Sequence, residues 1–272
     1  MRSTPRERPD LEIDVEGRRI YAYTGGRALA AVRPAIVFVH GAGNDHSVWA
    51  LQSRYFAHHG RNVLAIDLPA HGRSGGEPIA GVEDLATFLG ALLEGLGTGR
   101  HTLVGHSMGA LAALQCAASY PERVGKLALL GPAAPMPVSE ELLDAARCND
   151  HIACELINGW SFSVAAQLGG NTIPGMWMIG SAMRLLERSR PGVLAVDLAA
   201  CNAYANGVAA AARVRAPALV ILGARDIMAP PRNAKALVDA LSDKRVISLP
   251  DTGHALMAER PDAVLDALRG FL

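Results

Sequence analysis

Gly105-His106-Ser107-Met108-Gly109 is the stretch that decides the fold. An apolar run, Thr102-Leu103-Val104, precedes it, and a small-residue run, Ala110-Leu111-Ala112-Ala113-Leu114, follows it. The first reads as a buried strand and the second as a helix, so the serine sits on a sharp strand-to-helix turn. Such a turn strains the backbone of its central residue and leaves no room for bulk beside it. Gly105 and Gly109 meet that need, and Ala110 allows helix and strand to pack closely. The strain lifts the Ser107 hydroxyl clear of the sheet. The backbone N–H of Met108, at the new helix N-terminus, then points where an oxyanion would form.

The chain holds its own control. Gly72-Arg73-Ser74-Gly75-Gly76 has the same letters, but a polar loop precedes it and Glu77-Pro78 follows. No strand enters and no helix leaves at once, so this copy reads as a loop.

Working outward, Leu11 to Val15 and Arg18 to Tyr23 read as a hairpin turning at Gly17, behind a loose tail at residues 1–10. Ala35-Ile-Val-Phe-Val39 and Asn62-Val-Leu-Ala-Ile66 are continuous apolar runs of the kind found in buried parallel strands. Helical spacing covers Val48 to His59 and Val82 to Leu96, and Val124 to Leu130 is another strand. The alternation stops after Gly131-Pro132. From 132 to about 212 the chain shows helical stretches, clearest at 140–147, 176–188 and 193–205, and no buried strand. Strand and helix alternate again from Ala218-Leu-Val-Ile-Leu222 to the final helix at 261–272. This pattern predicts an α/β fold with a mainly parallel sheet and helices on both faces. The expected division is a core at 1–131 and 213–272 interrupted by a helical cap at 132–212. Chemistry in such sheets gathers on loops beyond the strand carboxyl ends.

Composition narrows the function. Lysine plus arginine number 26 and aspartate plus glutamate 26, which gives no electrostatic case for nucleic acid or an anionic membrane surface. The charged start reads as neither signal peptide nor anchor, and no apolar run reaches the length of a membrane span. Cys116, Cys148, Cys154 and Cys201 are scattered without a C-x-x-C, which predicts free thiols in a cytoplasmic protein and no metal site. Nothing in the sequence asks for a cofactor or sets an oligomeric state. The partner implied is a small-molecule substrate.

A serine hydroxyl needs a base to take its proton, and the base needs a carboxylate to orient and stabilise it. Of nine histidines, His254 stands out in Asp251-Thr-Gly-His254-Ala-Leu-Met, beyond a strand and before the last helical region. His58 and His59 end a helix, His40 reads as a brace for its loop backbone, and His106 is expected to direct its ring away from the site. His46, His71, His101 and His151 lack a comparable strand-end setting. For the acid, Asp226 follows the strand in Leu222-Gly-Ala-Arg-Asp226; its rival Asp251 is close enough to His254 to cap the histidine's own loop. Asp67 reads as a loop brace. Ser107, Asp226, His254 is the chain order that follows a nucleophile elbow.

With His40-Gly-Ala-Gly43 and Trp49, Asp67-Leu-Pro-Ala-His-Gly-Arg-Ser74, the elbow, Gly223-Ala-Arg-Asp226 and Gly253-His254, the chain resembles the α/β-hydrolase superfamily along nearly its whole length except the cap. The resemblance implies that Ala42, the residue after the His-Gly pair, supplies the second oxyanion N–H, with Gly43 as the fallback. It also separates reactions by nucleophile. Epoxide hydrolases and haloalkane dehalogenases of the superfamily use aspartate at the elbow, where this chain has Ser107. Its carbon–carbon bond hydrolases typically carry Gly-Asn-Ser at the elbow and a tryptophan after the histidine, where this chain has His106 and Ala255. The expectation is therefore a serine hydrolase, carboxylesterase-like and without cofactor or metal. Lactone, thioester and carbon–carbon hydrolysis are the alternatives, and a non-catalytic ligand-binding member of the fold is the rival class. Trp49 beside the oxyanion loop, and Trp160, Phe162, Met176, Trp177, Met178 and Met183 in the cap, are the candidate pocket lining; Trp49, Trp160 and Trp177 lead as substrate-binding residues. Arg184, Glu187, Arg188 and Arg190 read as a solvated face.

Overall fold

The computed structural model describes residues 10–30, 34–97, 99–170, 175 and 177–272. Of the tail expected at 1–10, residues 1–9 lie outside the described residues, as does Met176 with the helix start placed there; Asp10 instead begins the first strand. Among those described, eight strands form one sheet: β1 (Asp10–Val15), β2 (Arg18–Tyr23), β3 (Ala35–Val39), β4 (Asn62–Ile66), β5 (His101–His106), β6 (Val124–Leu130), β7 (Ala218–Gly223) and β8 (Lys244–Leu249). Their order across the sheet is β1-β2-β4-β3-β5-β6-β7-β8. The β1–β2 hairpin and the β2–β4 pair are antiparallel, and every pairing from β4 to β8 is parallel.

β3, β4 and β7 are buried at every position, which is why they read as unbroken apolar runs rather than alternating ones. Helices α1 (Ala50–His58), α2 (Val82–Gly95) and α3 (Met108–Ser119) follow β3, β4 and β5. Between β6 and β7 lie α4 (Glu140–Arg147), α5 (Ile152–Ser161), α6 (Val164–Gln167), α7 (Met178–Glu187), α8 (Val193–Ala203) and α9 (Gly207–Arg213), with no strand among the described residues. α10 (Pro231–Ala240), α11 (Leu256–Glu259) and α12 (Pro261–Arg269) complete the chain. Leu85, Leu111, Ala210 and Leu237 bring α2, α3, α9 and α10 into one apolar cluster, while Phe56, Leu256 and Leu268 bring α1, α11 and α12 into another that holds Phe38 and Val104 of the sheet. α9 packs on α3 and α10. Although it falls inside the stretch 132–212 expected as a helical cap, its buried Ala210 and Ala211 belong to the core cluster of α2, α3 and α10. Leu142, Leu143, Ile157 and Leu198 form a separate small core for α4, α5 and α8. No single helix among the described residues is long and apolar enough to cross a membrane.

Candidate active site

The turn at Ser107 is built as its neighbours demand. Ser107 has φ 53° and ψ −119°, a left-handed conformation costly for any residue with a Cβ. A Cβ on Gly105 would run into the backbone of Gly109, and one on Gly109 into the carbonyl oxygens of Val39 and His40. The serine N–H is tied to the Leu130 carbonyl at 2.9 Å. Met108 opens α3, so its N–H is among the first-turn donors that have no acceptor inside the helix.

His254 lies beyond β8, and its Nδ1–H donates to Asp226 Oδ2 at 2.7 Å, with both residues buried. Asp226 Oδ1 accepts the N–H groups of Met228 at 2.9 Å and Ala229 at 2.8 Å, which fixes the carboxylate plane. Burial opposes the Asp226 charge, but the charge and hydrogen bond of His254 outweigh it, and its pKa lies below the usual value. With Nδ1 holding the proton, Nε2 carries the lone pair. Gly131, at φ 57°, is what lets the ring lie there, since a Cβ on it would come within 3.2 Å of the imidazole. The rival Asp251 is exposed and pairs with Arg225 at 3.7 Å. Ser74, in the second G-x-S-x-G, is buried; its hydroxyl donates to the Asp67 carbonyl at 2.6 Å and accepts the Tyr21 N–H at 2.9 Å. That hydroxyl is a loop tie.

His106 departs from expectation. Its ring does not point away but packs on His254, centroids 4.7 Å apart, and its Nε2–H donates to the His254 carbonyl at 2.9 Å. Burial, and then the nearby His254 charge, push its pKa down to about 3, so it braces the histidine loop as a neutral ring. Glu259 of α11 braces the same loop, accepting the Gly253 N–H at 2.9 Å. Sequence reading missed both, although a carboxylate five residues past a strand-end histidine was a signal.

Ser107, His254 and Ala42 all line one cavity of about 810 Å³, beneath α5 and α7. Trp160, Phe162 and Met178 also line it. Trp49 does not. It is fully buried against Phe38, with ring centroids 5.1 Å apart, because the apolar face it helps form packs on the sheet. Trp177 does not either. It is 72% exposed and lies against Gly180, outside the cavity. Met183 is half-buried away from the lining. The arginines are not a uniform solvated face: Arg184 pairs with Glu187 at 2.6 Å, Arg188 reaches Asp45 at 3.3 Å, and Arg190 donates to the Ser74 carbonyl at 2.7 Å. The last two reach from the insertion to the sheet-side loops.

Among the described residues, one carboxyl–imidazole cluster, Asp45, His46 and Asp67, is close enough to invite a metal reading. Its atoms are already used. Asp67 accepts from His46 and from the Arg73 N–H, and Asp45 accepts from Ser47.

Residues 36–267 match the Alpha/beta hydrolase family. The chain belongs to that family. Among the relatives of this hydrolase, a pimeloyl-[acyl-carrier protein] methyl ester esterase of Aromatoleum aromaticum is 31% identical over 257 residues, 88% of this chain and 99% of that protein. A 2-hydroxy-6-oxononadienedioate/2-hydroxy-6-oxononatrienedioate hydrolase of Burkholderia vietnamiensis is 44% identical, but over 102 residues, 36% of this chain and 35% of that one. The match thus spans about a third of that relative's length. In fold, the enol-lactonase of Burkholderia xenovorans LB400 superposes with a TM-score of 0.83 at 24% identity, covering 96% of this chain and 99% of that one. These relatives are hydrolases, which supports an enzyme of that broad class.

Proposed function

We propose that this chain is a serine hydrolase that cleaves a carboxylic ester of a small, mainly apolar substrate through an acyl-enzyme. Ser107 attacks the acyl carbon while His254 Nε2 takes its proton, and Asp226 steadies the imidazolium that forms. The N–H groups of Ala42 and Met108 hold the oxyanion. His254 returns the proton to the leaving alcohol and then activates the water that hydrolyses the acyl-enzyme. Residues 132–212 act as the cap over the cleft, and Trp160, Phe162 and Met178 receive the apolar part of the substrate. The observation that carries this reading is the pairing of His254 with Asp226 at 2.7 Å on the cavity that Ser107 lines. The chain's four cysteines are all free, Cys148 at the surface among them, which supports action in the reducing cytoplasm.

The test is turnover of a matched panel of p-nitrophenyl esters, lactones and acyl thioesters, with Ser107→Ala as the blank. Short apolar esters turned over by wild type and not by the variant support the proposal. A panel left untouched by wild type sinks it. The local likeness to the Burkholderia vietnamiensis hydrolase is reason to add a vinylogous 1,5-diketone to the panel. Faster cleavage of its carbon–carbon bond than of any ester would replace the ester reading.

A further inference from the structure

The loop His40–Gly43 carries the proposed oxyanion donor Ala42, and it is held from two directions. On the sheet side, His40 Nδ1–H donates to the Gly41 carbonyl at 2.8 Å, and His40 Nε2 accepts the Leu68 N–H at 3.0 Å. Burial pushes this ring's pKa down to about 3, so it is a neutral brace. On the other side the partner comes from far along the chain. The Gly43 N–H donates at 2.8 Å to Oδ2 of Asp197, on α8 in the insertion. The same oxygen accepts from His71 Nε2 at 2.8 Å, and His71 Nδ1–H donates to the Pro69 carbonyl at 2.9 Å. Asp197 and His71 side chains are 2% and 3% exposed.

Both ring nitrogens of His71 face oxygens, the Asp197 carboxyl and the Pro69 carbonyl, which is the hydrogen-bond pattern of an imidazolium. Two further titratable groups bear on His71: Asp67, which favours its charge, and the ring of His40, 4.8 Å away, which is neutral. A lone carboxylate this deep in an apolar helix is expensive unless paired and hydrogen-bonded. Both conditions are met by the core loops and none by α8 itself, whose first turns read Val-Leu-Ala-Val-Asp-Leu-Ala-Ala.

Steric contact points the same way. A Cβ on Gly43 would come within 3.0 Å of Leu194 and 3.2 Å of Leu186, so α7 and α8 press on this loop. Gly41, two residues earlier, lies against Ser107: a Cβ there would be 3.1 Å from the serine Cβ. A shift of Gly43 therefore moves the Ala42 N–H relative to the hydroxyl it serves.

We propose that Asp197 is a positioning residue: reaching from the cap, it fixes the oxyanion loop through the Gly43 N–H, so that the seated cap completes the catalytic geometry rather than only covering it. This rests on the serine-hydrolase reading above.

The test separates positioning from mere docking of the cap. Asp197→Leu, Asp197→Asn and the double variant His71→Leu/Asp197→Leu are compared with wild type for Tm, kcat, KM and inhibition by a trifluoromethyl ketone. Reaction of Ser107 with a fluorophosphonate probe serves as the independent check of the serine reading. Asp197→Leu lowers kcat by on the order of tenfold to a hundredfold, the scale of a misplaced oxyanion donor, and weakens the ketone in step while KM changes little. Asp197→Asn keeps an acceptor for Gly43 and recovers most of kcat. The double variant removes the unpaired buried imidazole and regains Tm over Asp197→Leu, as apolar replacement of buried ion pairs does. Its kcat nevertheless stays low, because Gly43 still lacks an acceptor. A double variant that regains kcat together with Tm, or an Asp197→Leu enzyme within about twofold of wild type, overturns the positioning role. A wild-type Ser107 that neither reacts with the probe nor turns over an ester overturns the serine reading, and this inference with it.

Discussion

Replacing Asp226 by asparagine changes one atom and poses the histidine a choice that the geometry resolves. In one orientation the amide oxygen faces His254 Nδ1–H, and the NH2 then faces the N–H groups of Met228 and Ala229, which Oδ1 now accepts at 2.9 and 2.8 Å. That sets donors against donors and strands one buried and one partly buried group, at about 1–3 kcal/mol for the buried one. In the other orientation the oxygen keeps both backbone bonds and the NH2 donates to Nδ1. This arrangement satisfies every group, so it prevails. It also forces the imidazole proton onto Nε2, the nitrogen that must accept the proton of Ser107. The protein stays folded with the wrong tautomer. Triad variants of this kind lose on the order of ten-thousandfold in kcat, about 5 kcal/mol of transition-state stabilisation. Asp251→Asn removes only an exposed 3.7 Å pair with Arg225 and leaves kcat within about twofold. The assay is steady-state hydrolysis of a p-nitrophenyl ester at pH 8, with thermal unfolding as the control for folding. A loss below tenfold in Asp226→Asn, or a larger loss in Asp251→Asn, refutes the tautomer argument.

Ser107→Ala abolishes ester turnover with little change in Tm, whereas Ser74→Ala keeps the reaction and loses stability, about 1–3 kcal/mol for a buried hydroxyl with two partners; measuring both in one panel separates the two G-x-S-x-G copies. Trp49→Ala lowers stability by about 3–5 kcal/mol in urea unfolding, while Trp177→Ala, at the surface, stays within about 0.5 kcal/mol. The buried rings of His40 and His106, both held neutral down to about pH 3, make stability fall as pH drops below the ~6.5 of a free histidine, since only the unfolded chain then takes up their protons. Replacing His106 by leucine makes that acid decline in Tm shallower. His71 has the opposite sign: burial works against its charge but Asp197 outweighs it and raises its pKa, so its contribution is full below ~6.5 and fades as pH rises through the folded value. A Tm that falls on the alkaline side in wild type and not in His71→Leu/Asp197→Leu bears this out.

The core was legible because its constraints are local. A five-residue turn that forces φ 53° on Ser107 can be met only with glycine at 105 and 109, and that demand is written in adjacent letters. The buried strands were legible for a similar reason: a sheet covered on both faces needs unbroken apolar runs. Asp226 could be preferred over Asp251 because strand-end position is readable in the chain. Two of the three tryptophans failed as guides because ring size says how much area a residue buries and not against what; Trp49 went to the sheet and Trp177 to the surface, while Trp160 lines the cavity. His106 and Asp197 were illegible in a different way. Each acts on a group more than 140 residues away in sequence, His106 on the His254 carbonyl and Asp197 on the Gly43 N–H. No local pattern encodes such a contact. What the sequence offered for Asp197 was a conflict, one carboxylate in an apolar helix, and such conflicts mark places where tertiary structure must supply the partner.

That same logic bears on the substrate. Arg184 and Arg188 line the cavity and could have offered an anionic group a clamp. Each is already matched, Arg184 by Glu187 at 2.6 Å and Arg188 by Asp45 at 3.3 Å, and their side chains are 77% and 67% exposed. A substrate carboxylate would have to displace an existing acidic partner at a wet rim, where exchanging one ion pair for another gains little, about 0–1 kcal/mol. Burying an apolar group against Trp160, Phe162 and Met178 gains about 25 cal/mol per Å², so even a short alkyl chain outweighs that exchange. The balance therefore favours a neutral apolar ester over a charged one, and kcat/KM across a matched pair, butyrate against hemisuccinate on the same leaving alcohol, puts it to the test. A preference for the hemisuccinate that is lost in Arg184→Gln would mean that the rim arginines release their partners for substrate, and would reverse the argument.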